Sequence, residues 1–217
     1  MTDVHNLGLF ILAGWLLNLT PGPDVLYIVS SALRSGAKAG VVAALGITAG
    51  CFLHIFAAAL GVSALMAASS TAFTALKWAG AAYLFYVGLK LVLSPGTKPV
   101  ELIAANKVQT SGKALKSIFF KGFLTNTLNP KVALFFLAFV PQFIAPQASN
   151  PALTFVLLGV LFNVNALPVN VGYALLAAWA TRRLTAVQRT MHWLDRVAGV
   201  MFVGFGIRLA LTEAPGG

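Results

Sequence analysis

Two short polar segments, each set inside an apolar run, hold the residue types that could do chemistry. The first reads Leu19-Thr20-Pro21-Gly22-Pro23-Asp24 and the second Asn126-Thr127-Leu128-Asn129-Pro130-Lys131. Proline removes a backbone donor and glycine loosens the chain, so no uninterrupted helix can pass through either segment. In lipid an unpaired peptide group costs several kcal/mol, and a break at that depth survives only where protein or a wet cavity satisfies the freed groups. A carboxylate at the bilayer centre costs about 2.5–3.5 kcal/mol on insertion scales, which makes Asp24 a functional candidate by default. Lys131 stands beside the other break. Thr20 ahead of Pro21-Gly22-Pro23, and Asn129 ahead of Pro130, read as helix starts with a capping side chain. Such starts expose N–H groups and the positive end of the helix dipole, which attract an anionic group such as a carboxylate.

Asp24 and Lys131 could pair with each other, locking two parts of the bundle together, or hold the ammonium and carboxylate ends of a zwitterion. Asp24 could also carry a proton, with His54 as a second candidate or simply a bonded core histidine. Asn18 and Asn126 lie close enough to the breaks to satisfy freed backbone groups. Asn163 and Asn170, two turns apart on one helix face, could line the same cavity or bond across helices. The expected binding set is therefore Asn18, Thr20, Pro21, Gly22, Pro23, Asp24, Asn126, Asn129, Pro130, Lys131, Asn163 and Asn170. Phe119-Phe120 and Phe135-Phe136 read as lipid or packing contacts.

Other chemistries find little material. Cys51 is the one cysteine, so paired-thiol redox chemistry and thiolate clusters are excluded. An intramembrane hydrolase would need a nucleophile with a base, or a metal set, and His5 and His192 lie near span ends, far from His54. No catalytic residue, cofactor or resident metal is expected. An ion or metal exporter is the nearer alternative, but it would want several acidic or soft ligands where the spans offer Asp24.

The elements that must position these residues follow from composition. Of 217 residues 59% are hydrophobic and 9% charged, which describes a multi-pass membrane protein. At about 20 residues per helical span the chain holds about six helices in one all-α bundle. The net charge of +10 sits on Lys and Arg at the ends of apolar runs, so it reads as orienting loop charge and not as a nucleic-acid surface. The predicted spans cover residues 7–33, 39–66, 76–93, 118–140, 151–179 and 192–211, with residues 97–117 as a basic, flexible connector. Met1 to Asn6 carry no Lys or Arg and precede no cleavage pattern, so the first span is expected to be retained. On the second span Gly46, Gly50 and His54 form one stripe, a small-residue face that should meet protein.

Basic residues cluster in the loops after spans one, three and five, which predicts both termini outside the cytoplasm. Gly88-Leu-Lys-Leu91 aligns with Gly206-Ile-Arg-Leu209, and each follows a proline-broken span by one intervening helix. Residues 7–93 and 118–211 are thus expected to be two three-helix repeats of one domain spanning 1–217. A unit that crosses the membrane three times must enter upside down in its second copy, giving an inverted repeat whose broken helices, one and four, meet at the midplane.

The pair Thr20-Pro-Gly-Pro23 and Asn129-Pro-Lys131, with Gly36, Lys38, Gly40, Gly46, Gly50 and Lys121-Gly122, resembles the lysine exporter (LysE/RhtB) family of bacterial amino-acid efflux proteins over essentially the whole chain. The resemblance implies a secondary transporter in the bacterial inner membrane that exports amino acids or their derivatives, driven by the proton gradient. Its partners would be the amino-acid substrate, protons and the lipid bilayer, with a homodimer as the candidate assembly. The substrate stays open, because members with these motifs export different compounds.

Overall fold

The structure, a computed structural model, describes residues 3–68, 111–145 and 147–180, with isolated helical positions between 78 and 93 and between 196 and 207. The predicted third and sixth spans, the aligned Gly88 and Gly206 segments and most of the connector lie outside the described residues. Among those described there are six α-helices and no strand. They are α1 (Leu7–Leu19), α2 (Pro23–Ser35), α3 (Ala37–Ala68), α4 (Gly112–Thr127), α5 (Pro130–Leu134) and α6 (Pro151–Trp179). A π turn, Phe135–Phe139, and a 3-10 turn, Val140–Phe143, continue from α5.

Two helical segments are long and apolar enough to cross a membrane unaided, Ala37–Gly61 and Pro151–Trp179. Two bent helix pairs meet the same test of length and apolarity when each pair is taken together. Helices α1 and α2 meet at 49° across Pro21, and α4 meets the segment Pro130–Phe143 at 46°. Both expected breaks are therefore present. The polar connector ends earlier than its composition implied, because Ser111 accepts from the Ala114 N–H and starts α4 at Gly112 rather than near Ile118.

Close helix approach sets the frame. Gly36, with φ of 86°, lets the chain reverse between α2 and α3 in a conformation that a side chain would disfavour. Helices α3 and α4 pack backbone to backbone. A Cβ on Gly46 would collide with the Phe119 carbonyl, one on Gly50 would lie 2.6 Å from the Phe123 oxygen, and one on Gly122 would lie 2.7 Å from the Ala43 oxygen. The stripe of Gly46 and Gly50 thus faces protein, and its consequence is positional. It seats the end of α4, and with it Asn126, against the middle of α3.

Packing differs at the two ends of the bundle. Phe10, Phe135, Phe136, Phe139, Phe143, Phe155 and Phe162 form one buried aromatic cluster between α1, the π and 3-10 turns and α6. At the other end a smaller cluster of Ile28, Ala43, Ala44, Ile47 and Ala174 joins α2, α3 and α6. A short strap ties the first element to the aromatic end, where the His5 N–H donates to the Phe143 carbonyl at 3.0 Å and Val4 bridges Ile144.

Candidate functional site

At the break in the first span, carbonyls of the last turn of α1 gain side-chain donors. The Thr20 hydroxyl donates to Leu16 O at 2.6 Å, and the Tyr173 hydroxyl, from α6, donates to Leu19 O at 2.8 Å. Lys131, from the second break, donates through Nζ to Leu17 O and to Thr20 O, both at 2.9 Å. An ammonium at the carbonyl end of a helix is electrostatically favourable, since that end carries the negative pole of the dipole. The first break is therefore closed largely by a charge supplied from the second.

The reverse connection runs through Asp24. It occupies the first turn of α2, where a carboxylate complements the positive dipole end, and its Oδ2 accepts from Asn126 Nδ2 at 2.8 Å. Two polar links thus cross between the breaks in opposite directions. Asp24 is held by Asn126 and lies within the field of Lys131, whose own Nζ donates to the carbonyls of Leu17 and Thr20.

Capping departs from expectation at one of the two helix starts. Asn129 caps α5, its Oδ1 accepting from the Lys131 N–H at 3.0 Å. At α2 the cap is Gly22, which brings no side-chain acceptor. Thr20 was expected to cap there, but its hydroxyl turns back to the preceding turn of α1 and donates to Leu16 O, which also accepts from the Thr20 N–H.

The breaks enclose a cavity of about 30 Å³. Asn18, Thr20, Gly22 and Asp24 line it from the first break, and Asn126, Asn129 and Lys131 from the second. Asn163 and Asn170 line it from α6, with Asn163 also donating to Thr48 O at 3.1 Å. Pro21, Pro23 and Pro130 shape the two breaks without lining the cavity. His54 stands behind Asn126 and does not line it. Its Nε2–H donates to the Asn126 carbonyl at 2.9 Å, and its ring lies nearly parallel to that of Phe136, 6.5 Å away.

Residue-type reasoning missed the apolar part of the lining, Leu17, Val25, Ile47, Cys51, Val132, Phe162 and Ala166. Periodicity held a signal for some of it. Ile47 and Cys51 are four apart, as are Phe162, Ala166 and Asn170, so the face bearing Asn170 also bears the other two. Tyr173 was missed as well, and nothing local in sequence couples it to Leu19.

Three buried polar atoms on the cavity wall have no protein partner. They are the acceptors Asp24 Oδ1 and Asn126 Oδ1 and the donor Asn18 Nδ2. Buried polar atoms are rarely left unpaired, so three of them on residues lining one small cavity make it the candidate site for a polar solute.

Comparison with known proteins identifies the family. A family model of the LysE type translocator matches residues 15–213. The chain belongs to the LysE type translocator family. This membrane transporter is 34% identical to an uncharacterised membrane protein of Pseudomonas aeruginosa, over 93% of each chain. It is 31% identical to the homoserine/homoserine lactone efflux protein of Salmonella typhimurium, over 93% of this chain and 94% of the relative. To the leucine efflux protein of Enterobacter sp. it is 28% identical, over 95% and 96%. No solved structure matches the chain.

Proposed function

We propose that this translocator exports an amino acid, held as a zwitterion between the two helix breaks near the middle of the bilayer. The observation that carries the reading is the set of unpartnered atoms on the cavity wall. Asp24 Oδ1 and Asn126 Oδ1 suit the donors of an α-ammonium. Asn18 Nδ2 suits an oxygen of an α-carboxylate. The relatives named for homoserine and leucine efflux support amino acids as the solute class.

In this assignment Asn18, Asp24 and Asn126 touch the solute, while Thr20, Gly22, Asn129, Asn163 and Asn170 shape the cavity. Pro21, Pro23 and Pro130 impose the breaks. Lys131 braces them.

At about 30 Å³ the cavity has room for two or three waters at about 10–15 Å³ each, less than an amino acid needs. Transport then requires the walls to separate, with each break acting as the joint between its half-helices. Asp24 is the group that takes and releases a proton as the site alternates between faces, because it is the acid on the cavity wall. His54 is one hydrogen bond removed, through Asn126. The whole chain works as one domain of two inverted three-helix repeats in the bacterial inner membrane, with both termini outside.

The test is uptake and efflux in proteoliposomes under imposed pH and voltage gradients, parent against Asp24→Asn. Gradient-driven accumulation in the parent and its loss in Asp24→Asn is the expected result. Accumulation indifferent to both gradients would remove the coupling, and coupled accumulation surviving in Asp24→Asn would move the proton site elsewhere.

A further inference from the structure

We infer that the exported amino acid has an uncharged, apolar side chain, seated on a wall made by Ile47 and Cys51 of α3 and Phe162 and Ala166 of α6. The inference rests on the zwitterion reading above and deepens it. Polar groups on the cavity come mainly from the two breaks, whereas the unbroken helices α3 and α6 present these four apolar residues to it, each buried to within 4% of full burial. Ile47 and Cys51 are one helical turn apart, as are Phe162 and Ala166, so each pair presents one continuous patch. Of the polar residues of α6 that also line the cavity, Asn170 lies one turn beyond Ala166 and bounds the apolar wall at that end. The Asn163 amide is turned to the Thr48 carbonyl of α3.

The charge inventory points the same way. A basic side chain would need a second acid beside the one that holds the α-ammonium. The chain has five acids. Asp24 is used. Asp3 accepts from the Ser149 hydroxyl at 2.7 Å, by the strap. Glu101, Asp195 and Glu213 fall in sequence within the connector, at the start of the last apolar run and in the tail. An acidic side chain would need a cation, and the ammonium on the cavity, Lys131, is engaged by the Leu17 and Thr20 carbonyls. A charged side chain laid on the wall would lose its hydration without gaining a counter-charge, whereas an aliphatic one would gain apolar burial.

Wall size should then set which side chain fits. A single methylene in an apolar pocket discriminates by roughly tenfold to two-hundredfold. Ala166 and Cys51 are the small members of the wall, and enlarging either fills the space a side chain would take.

The experiment reconstitutes the full chain in proteoliposomes and measures counterflow of labelled alanine, leucine, lysine and glutamate at equal concentration. Counterflow of leucine at least tenfold faster than of lysine or glutamate is expected. In Ala166→Leu the leucine-to-alanine ratio should fall at least tenfold while alanine transport persists. Cys51→Leu, on the facing helix, makes the same prediction if Ala166→Leu fails to reach the membrane. Lysine or glutamate moving as fast as leucine would overturn the side-chain inference and leave amino-acid export standing. An unchanged leucine-to-alanine ratio in both variants would show that the wall is not the seat. Counterflow of none of the four would overturn the export reading and this inference together.

Discussion

Replacing Lys131 by Met tests whether the second break holds the first one closed. Methionine keeps an unbranched stem of similar length and removes only the ammonium. The parent side chain donates at 2.9 Å to Leu17 O and at 2.9 Å to Thr20 O. A hydrogen bond to a charged group contributes about 1.5–3 kcal/mol net, so the pair contributes roughly 3–6 kcal/mol. Leu17 O keeps a second, longer donor in the Thr20 amide at 3.3 Å, which places the loss toward the lower half, about 3 kcal/mol. For a chain of this length 1 kcal/mol moves the melting temperature by roughly 2–4 °C, so Lys131→Met should melt about 6–12 °C below the parent. The assay is thermal unfolding of detergent-purified protein beside counterflow in proteoliposomes. Lys131→Arg keeps the charge in a wider planar head and should melt between the two. Parent-like melting of Lys131→Met, with transport abolished, would refute the brace and return Lys131 to the solute.

Gly50→Ala should cost about 1–3 kcal/mol, because its new Cβ would meet the Phe123 carbonyl of α4, and transport should fall with it as Asn126 shifts; melting and counterflow on the same preparation check this. Phe162→Ala should expose Cys51 to thiol reagents. Its ring covers the cavity against Phe135 and Phe136, with centroids 4.8 Å and 5.4 Å away, and Cys51 is the single thiol, so labelling should accelerate over the parent. A reporter fused after Gly217 should read out as external; a cytoplasmic readout would remove the inverted-repeat arrangement with it.

What the sequence disclosed, and what it withheld, divides along the range of the interactions. The breaks at Pro21-Gly22-Pro23 and Asn129-Pro130 were legible because loss of a backbone donor is a property of the residue itself. The membrane setting was legible because burial of a long apolar run needs no partner to be specified. The small-residue stripe of Gly46 and Gly50 was also readable, since helical period alone puts both on one side. Which break each polar group serves was not readable. Thr20 has the right type for a cap of α2, yet a carbonyl one turn behind it outcompeted that role, a choice decided by local geometry that the 49° bend creates. Lys131 and Asp24 suggested a pair by charge. In the folded chain each also takes partners that charge alone did not name, a helix end with carbonyls for the cation and an amide donor for the anion. Nearness of opposite charges in a low dielectric is favourable, but satisfying several directed hydrogen bonds at once is more so, because each freed backbone group in lipid costs as much as the bond it lacks. The polar residues of a broken membrane helix are therefore claimed first by the break. The proposed recognition of a solute then falls to atoms left over on the cavity residues, here Asp24 Oδ1, Asn126 Oδ1 and Asn18 Nδ2.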